Sequence, residues 1–450
     1  PEANKDAALD EAGRQLEPGG RLTSYYTGND ERGMWRPDMP ALVAEAIGVD
    51  PRTPPRDEEM SRLFEARRGD NGEAWSKHPR KLSGFDIVFS PDKSVSLAAA
   101  FAPTDAEKAM IRHAVDRAAD RAMRYLASEV GWARKGHGGE EGAEPGAVGW
   151  ISYRHHTARP TLQVQDGPQG ETYLFDAPVA GDPHDHIHHF LMNLVVTAEG
   201  RIGSLDTRVM TDAKVKTIGA YFQVYLAEEL KRLGIEVAVS ADHQAVVITA
   251  IPEDVKTAFS KRDNQILRKA KAFARDQGLD WEEMSAEKKL DIMEEASAEG
   301  RLGKMKVDQD RIWKEQAEAL DWRHESVLDK AEYAEMPEEE RFDRAYRFAA
   351  SALAEEFHTA AVIDHDKLGM YAARGLIGLG ALGGPADIGR VVDLIEERGI
   401  RLKGEHVALI VGLSGDKVRV TNSAQVRVEA KLAELARDAA RDKSAALSME

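Results

Sequence analysis

The sequence predicts an α+β fold, because it contains both strand patterns and long amphipathic helix patterns. Apolar and polar residues alternate over Lys81–Ser90 and again towards the end of Ala147–Thr157, as is typical of strands. Apolar residues recur at helical spacing over Thr104–Val130 and Thr211–Leu233. Strands of this kind bury an apolar face, so we expect the helices to cover a sheet.

The composition limits the kinds of function that the chain can have. Its 450 residues suffice for two or three domains, and the absence of cysteine excludes disulfides and thiolate catalysis. No run of 18 apolar residues occurs, and the first residues resemble neither a signal peptide nor a lipidation site, so we expect a cytoplasmic protein without membrane insertion. The formal net charge of −17 argues against non-specific duplex binding, so any nucleic-acid site must be a local groove.

The first strand pattern leads into a helix. Alternation places Asp86 and Val88 on one face of this strand, and an acidic residue there costs stability unless it is paired. Ser90 followed by Pro91 predicts a helix N-cap with proline at the first helical position. The N-terminus of that helix, near Lys93, would be an anion site, and the alternative is a purely structural strand–helix unit.

Four histidines stand within six residues of the segment Asp182–Asn193. If the segment is a strand, His184, His186 and His188 share one face and His189 points to the other. Such a cluster suits zinc, manganese, cobalt, nickel or iron better than calcium, and suits magnesium only when a phosphate adds oxygen ligands. The alternative is a solvated histidine-rich loop.

A second pair of histidines ends the strand pattern of Ala147–Thr157. If this strand pairs with the histidine-rich one, either His155 or His156 faces the cluster. The intervening residues 159–183 are rich in Gly, Pro and Asp, which predicts a hairpin insertion. Three imidazoles could then hold one divalent ion and leave positions for two oxygens of a phosphodiester.

Taken in order, several short motifs resemble the relaxase module of MobF-type conjugative relaxases, the TraI/TrwC kind, in the HUH endonuclease superfamily. Each motif is weak alone, but their common order makes chance agreement improbable. The rolling-circle initiators of the same superfamily place the tyrosine after the histidines, whereas relaxases place it before them, as here. The matching elements are the pair Tyr25 and Tyr26, the segment Gly84–Ser96, the set His155, Thr157 and Arg159, the set His186, His188 and Asn193, and the segments Gly203–Arg208 and Phe259–Arg262.

The resemblance also implies a domain organisation. Residues 1–20 would be a polar lead-in, and residues 21–325 a relaxase domain with a central antiparallel sheet covered by helices. Residues 330–450 would form a smaller, mostly helical accessory domain with a β-hairpin, of the kind that leads into a helicase. No nucleotide-binding Gly-Lys-Ser/Thr motif follows anywhere in the chain.

The same resemblance implies roles for individual residues. Tyr25 would be the nucleophile that cleaves the strand, with Tyr26 as the second member of the pair. Asp86 would be either a base for Tyr25 or a residue that orients a metal-binding histidine. The three metal ligands would be His155, chosen over His156, together with His186 and His188.

The implied function is nicking and rejoining of one DNA strand at the transfer origin of a plasmid or integrative element, through a 5′-phosphotyrosine. Its cofactor would be a divalent metal: magnesium, manganese, zinc, nickel or cobalt. Its partners would be single-stranded DNA at the nick site, other relaxosome proteins and a coupling protein. Expected DNA contacts are the cations Lys93, Arg154, Arg159 and Arg201 and the aromatic platforms Trp150 and Tyr153.

Two other functions remain open from the sequence. A metal-dependent hydrolase could use an activated water at the same histidines, and a non-catalytic module could bind the origin without cutting it. The chain departs from the family pattern in one respect. The family commonly has a second tyrosine pair a few residues after the first, and residues 28–37 contain none, so they supply no second tyrosine nucleophile.

Overall fold

The computed structural model describes residues 33–76, 82–136, 140–158, 161–165, 172–176, 180–284, 288–289, 292–293, 308–415 and 417–441. Contacts within the chain define two compact units. The first contains the described residues up to Val209 and those of Leu226–Tyr333. The second contains Met210–Tyr225 and the described residues from Ala334 onward.

Helices and strands alternate irregularly along the described chain. The strands are β1 Met34–Trp35, β2 Gly84–Phe89, β3 Trp132–Arg134, β4 Ala143–Ala147, β5 Trp150–Thr157, β6 Thr161–Gln165, β7 Thr172–Asp176, β8 Pro183–Met192, β9 Val195–Thr197, β10 Ile202–Gly203, β11 Val237–Val239, β12 Val246–Ile248, β13 Ile363–Asp364, β14 Ile400–Leu402, β15 Glu405–Val407, β16 Leu409–Ser414 and β17 Lys417–Asn422. The helices are α1 Ala41–Ile47, α2 Asp57–Leu63, α3 Lys93–Ala100, α4 Asp105–Val130, α5 Asp212–Arg232, α6 Glu253–Ala258, α7 Lys261–Asp276, α8 Gln309–Ala319, α9 Glu338–Thr359, α10 Asp366–Leu376, α11 Ala386–Arg398 and α12 Ser423–Arg441.

The central sheet of the first unit has the strand order β1-β5-β8-β2, and each neighbouring pair is antiparallel. This arrangement confirms the α+β class and the antiparallel sheet. A second sheet has the order β10-β9-β4-β3. The hairpin expected within residues 159–183 is present as β6 paired with β7.

One face of the central sheet is divided between core and site. Ile151, Tyr153 and Phe190 lie on the same face as His155, His186 and His188, because Tyr153 pairs with His188 two residues before His155 pairs with His186. The three apolar side chains belong to a buried cluster with residues of α1 and α2. The helices therefore cover one end of this face, and the histidines occupy the other end.

The helix after β2 begins later than the sequence pattern predicted. Its N-cap is Asp92, whose carboxylate accepts from the Ser94 backbone N–H, and α3 starts at Lys93. The prediction of Ser90 as the cap is therefore wrong. Aspartate is among the strongest N-cap residues, so the cap moves two residues along the chain. Thr104 is the N-cap of α4, and its hydroxyl oxygen accepts a hydrogen bond of 3.1 Å from the backbone N–H of Glu107.

The second unit contains α9, α10 and α11 and the hairpin of β16 and β17. A buried ion pair joins Arg341 of α9 to Asp387 of α11 at 2.6 Å, and Arg341 also donates to the Gly380 carbonyl. The helices and the β-hairpin agree with the mostly helical fold expected for this part of the chain. Within the described part of the chain, no helix combines the length and the hydropathy that crossing a lipid bilayer requires.

Gly84 illustrates how closely β2 and β8 pack. A Cβ atom there would lie 2.4 Å from Cε2 of Phe190 and 2.6 Å from the Leu191 carbonyl oxygen. Phe190 cannot yield easily, because its ring packs edge-on against Phe64 with centroids 4.6 Å apart.

We therefore expect Gly84→Ala to lower the free energy of unfolding by about 1–3 kcal/mol, measured by urea denaturation, because it overpacks the centre of the sheet. Gly219→Ala, inside α5 where no atom lies within 4 Å of the added Cβ, is the matched control. It should be neutral or stabilise by up to about 1 kcal/mol. Equal effects of the two substitutions would contradict this account.

Candidate metal centre

Three imidazoles converge at the end of the central sheet that lies away from the cluster with α1 and α2. His155 of β5 lies directly opposite His186 of β8, and His188 follows on the same face. Their candidate ligand nitrogens all lie within 4.8 Å of one another. His155 and His188 are buried, and the ring centroids of the three histidines are 4.7–5.2 Å apart. The structure thus brings together the three histidines that the sequence singled out.

Asp86 stands behind one of these histidines. Val88 of β2 pairs with His188, and Asp86 lies two residues earlier on the same face. Both carboxylate oxygens of Asp86 are 3.0 Å from Nδ1 of His188. Because a carboxylate only accepts, Nδ1 carries the proton and Nε2 keeps the lone pair that can bind an ion. This arrangement also places Asp86 and Val88 on one exposed face, as the alternation predicted.

The second ligand on β8 is prepared in a similar way. Nδ1 of His186 donates to the carbonyl oxygen of His184 at 2.9 Å, so Nε2 again keeps its lone pair. Burial lowers the pKa of His186 well below its ordinary value, and the neighbouring His184 and His188 add to the shift. The neutral imidazole is the form that binds a metal, so the donor set fits a divalent ion.

Two other histidines of these strands, His156 and His189, lie on the opposite face, whereas His184 shares the face of His186 and His188. His156 contacts the carboxylate of the buried Asp185, which also lies 3.6 Å from Arg112 of α4. His189 shares a hydrogen bond of 2.8 Å with the Ser152 hydroxyl, and burial lowers its pKa to about 3. Strand alternation therefore separates His155 from its neighbour His156, the alternative that the sequence could not exclude.

Three of the cations expected to contact DNA, which lie among the described residues, have partners within the chain. Arg154 lies on the opposite face from the three histidines and pairs with Asp116 of α4, donating through Nε at 3.1 Å. Arg201 pairs with Glu144 and donates to the Ala133 carbonyl at 3.1 Å. Lys93 donates to the Pro183 carbonyl at 2.8 Å. Arg154 therefore lies on the face of the sheet opposite the three histidines, and its expected DNA contact stays a prediction.

The two aromatic side chains expected to stack on DNA bases are buried. Trp150 and Tyr153 are 0% and 1% exposed, so neither can stack on a DNA base. That prediction is wrong, because both side chains belong to strand β5 where it runs through the protein interior. Tyr25, Tyr26 and Arg159 lie outside the described residues.

Ser96, the last residue of the matched segment Gly84–Ser96, has no role that the sequence predicts. Ser96 of α3 accepts a hydrogen bond of 2.9 Å from the backbone N–H of Asp185, one residue before His186. The sequence points to Ser96 through its position in a motif shared with the family, but a motif does not reveal which group the side chain contacts.

A family model described as TrwC relaxase matches residues 3–321 of the chain. The protein is thus a DNA relaxase by class. It belongs to the TrwC relaxase family.

Solved structures agree in fold. The metal-bound structure of conjugative relaxase TrwC in complex with oriT DNA is 23% identical, with a TM-score of 0.51 over 68% of this chain and 95% of that chain. The metal-free structure of the same complex is also 23% identical, with a TM-score of 0.50 over 68% and 96%. No curated protein matches the chain.

The position of His155 gives a direct test of the metal centre. We expect His155→Ala to weaken Mn²⁺ binding by at least about 10-fold to 100-fold in isothermal titration calorimetry, because loss of a ligand should cost no less than loss of an outer partner. His156→Ala is the matched control, since its side chain points to the other face. The assignment is wrong if His156→Ala weakens binding and His155→Ala does not.

Proposed function

We propose that the chain nicks and rejoins one DNA strand at a transfer origin, with His155, His186 and His188 holding a divalent metal beside the scissile phosphate. The observation that carries this proposal is the grouping of three imidazoles at one end of a sheet face, with their candidate ligand nitrogens within 4.8 Å of one another. Family membership over residues 3–321 supports the same reaction class. An ion bound there would polarise the phosphate and offset the negative charge that develops during transfer.

The proposed reaction is a transesterification. The Tyr25 hydroxyl loses its proton and its oxygen attacks phosphorus, while the bond from phosphorus to the 3′-oxygen breaks and that oxygen takes up a proton. The products are a 5′-phosphotyrosine and a free 3′-hydroxyl. Because one ester replaces another, the reverse reaction can rejoin the strand, which suits nicking and closing better than degradation.

The described structure is consistent with delivery of Tyr25 to the site. The first described strand, β1, begins at Met34 and pairs with β5, which carries His155. The nine residues from Tyr25 to Met34 can span up to about 30 Å when extended. The tyrosine therefore has sufficient reach from the neighbouring edge of the sheet.

Of the two roles that the resemblance left open for Asp86, we propose that it orients His188. Its two oxygens are equidistant from Nδ1, as in a carboxylate–histidine–metal arrangement. We further propose that the protein acts in the cytoplasm, with relaxosome proteins and a coupling protein as partners. The native metal would be one that accepts both imidazole and phosphate oxygen ligands, such as manganese, zinc, nickel, cobalt or magnesium.

The nucleophile is tested by the covalent product. We expect Tyr25→Phe to abolish the protein–DNA adduct on a denaturing gel, after incubation with a single-stranded oligonucleotide that carries the nick site and with Mn²⁺. Tyr26→Phe, one residue away, should keep at least part of the adduct. An adduct formed by Tyr25→Phe but not by Tyr26→Phe would exchange their roles.

The same gel separates the two rival functions. A hydrolase that uses activated water would cut the oligonucleotide without any adduct in the unsubstituted protein. A non-catalytic module would retain the oligonucleotide in a native gel and leave it uncut.

Asp86 offers an independent test of the orienting role. We expect Asp86→Ala to slow cleavage and weaken Mn²⁺ binding by about 10-fold to 100-fold without abolishing the metal site, because the three ligands remain. Asp86→Asn should retain more metal affinity, because its amide oxygen can still accept from Nδ1. Unchanged metal binding in both variants, with cleavage lost, would instead favour Asp86 as the base for Tyr25.

A further inference from the structure

The Lys-Ser-Val-Ser segment, residues 93–96, forms the first turn of α3 and reaches the strand that carries the metal ligands. Lys93 Nζ donates to the carbonyl oxygen of Pro183 at 2.8 Å. The backbone N–H of Asp185 donates to Ser96 Oγ at 2.9 Å. The two contacts hold backbone groups on either side of His184, directly before His186.

The start of β8, residues 183–186, has no described pairing with β2, whereas Ile187–Met192 are paired with it. Among the described pairs, β2 reaches β8 only from Met192 back to Ile187. On the other side, the register with β5 is irregular between His155 and Thr157. Residues 183–186 therefore have an irregular pairing with β5 on one side. On the other side, where β2 has ended, the contacts come from α3.

Contacts from later in the chain hold the preceding residues. Asp182 is buried, and its carboxylate accepts from the backbone N–H of Lys261 at 2.8 Å and contacts the Lys261 amine. Trp313 donates from its indole N–H to the Gly181 carbonyl at 2.9 Å. The approach to β8 is thus fixed up to Asp182. Between Pro183 and His186, His156 and Arg112 hold the Asp185 side chain, and Lys93 and Ser96 hold the backbone groups of Pro183 and Asp185.

The direction of His186 depends on this backbone. In a strand, a rotation of one peptide group changes the direction of the next side chain, and a shift by one residue moves it to the other face. Metal centres depend on such outer contacts, whose loss commonly costs about 10-fold to 100-fold in metal affinity.

We propose that Lys93 and Ser96 are positioning residues that hold the start of β8, so that His186 faces His155 and His188 across the metal centre. The inference rests on the proposed metal site. It gives Lys93 a role within the protein in place of the expected DNA contact. It also explains why a serine follows Lys93 at a spacing of three, which puts both side chains on one face of α3.

Ser94 provides a matched control on the same helix. Its hydroxyl oxygen accepts from the backbone N–H of Ile248 in β12 at 2.9 Å, away from β8. Ser94 and Ser96 are 0% and 1% exposed. Replacing either with alanine removes one buried hydroxyl and leaves one backbone N–H without that partner. Ser94→Ala also removes the hydrogen bond that the Ser94 hydroxyl donates to Asp92, so it should lose at least as much stability as Ser96→Ala.

The test is a titration of the full chain with Co²⁺, followed by visible absorption, at a temperature where circular dichroism shows each variant to be folded. The ligand-field bands of Co²⁺ report coordination geometry as well as affinity. We expect Ser96→Ala to weaken Co²⁺ binding by about 10-fold or more and to shift the bands. Ser94→Ala should keep the bands and the affinity of the unsubstituted chain, despite an equal or larger fall in thermal midpoint.

Lys93→Met is the second variant and keeps the test decisive if Ser96→Ala does not fold. It should weaken Co²⁺ binding and shift the bands in the same direction as Ser96→Ala. The inference is overturned if Ser96→Ala or Lys93→Met matches Ser94→Ala in affinity and spectrum, or if Lys93→Met lowers only metal-free binding of single-stranded DNA. Failure of the unsubstituted chain to bind Co²⁺ would instead overturn the metal site itself, and with it this inference.

Discussion

The antiparallel register between β5 and β8 is the constraint on which the rest of the site depends. It places His155 opposite His186 and Tyr153 opposite His188. A slip of one residue would bring His156 to the site face and turn His155 towards α4, because side chains alternate strictly along a strand. The interior sets this register, since the same alternation buries Ile151 against the α1 and α2 side of the sheet.

The two ends of one sheet face therefore perform different tasks. At one end, Tyr153 and Phe190 pack into a buried cluster that fixes the strands. At the other end, the same strands carry histidines whose orientation must be held closely for metal binding. Behind the sheet, Arg154 pairs with Asp116 and Asp185 lies 3.6 Å from Arg112, so α4 holds these strands from the opposite side.

Local periodicity was enough to predict which histidines share a face, because strand alternation depends only on neighbouring residues. It also placed Asp86 on the exposed face of β2. The roles of the cations could not be predicted in this way. Arg154 finds its partner 38 residues away and Lys93 finds its own 90 residues away, and only the folded sheet brings such groups together. The position of Lys93 in a family motif therefore does not reveal that its amine donates to the Pro183 carbonyl.

The electrostatics of the proposed centre follow from the same contacts. The chain as a whole carries a formal charge of −17, which repels DNA at long range. An imidazole that binds a metal is neutral, so the double charge of a bound ion would be offset in part by Asp86, acting through His188. A phosphate oxygen approaching this end of the sheet would thus meet a local excess of positive charge. Metal binding, rather than a basic surface, is on this account what draws the scissile phosphate to an acidic protein.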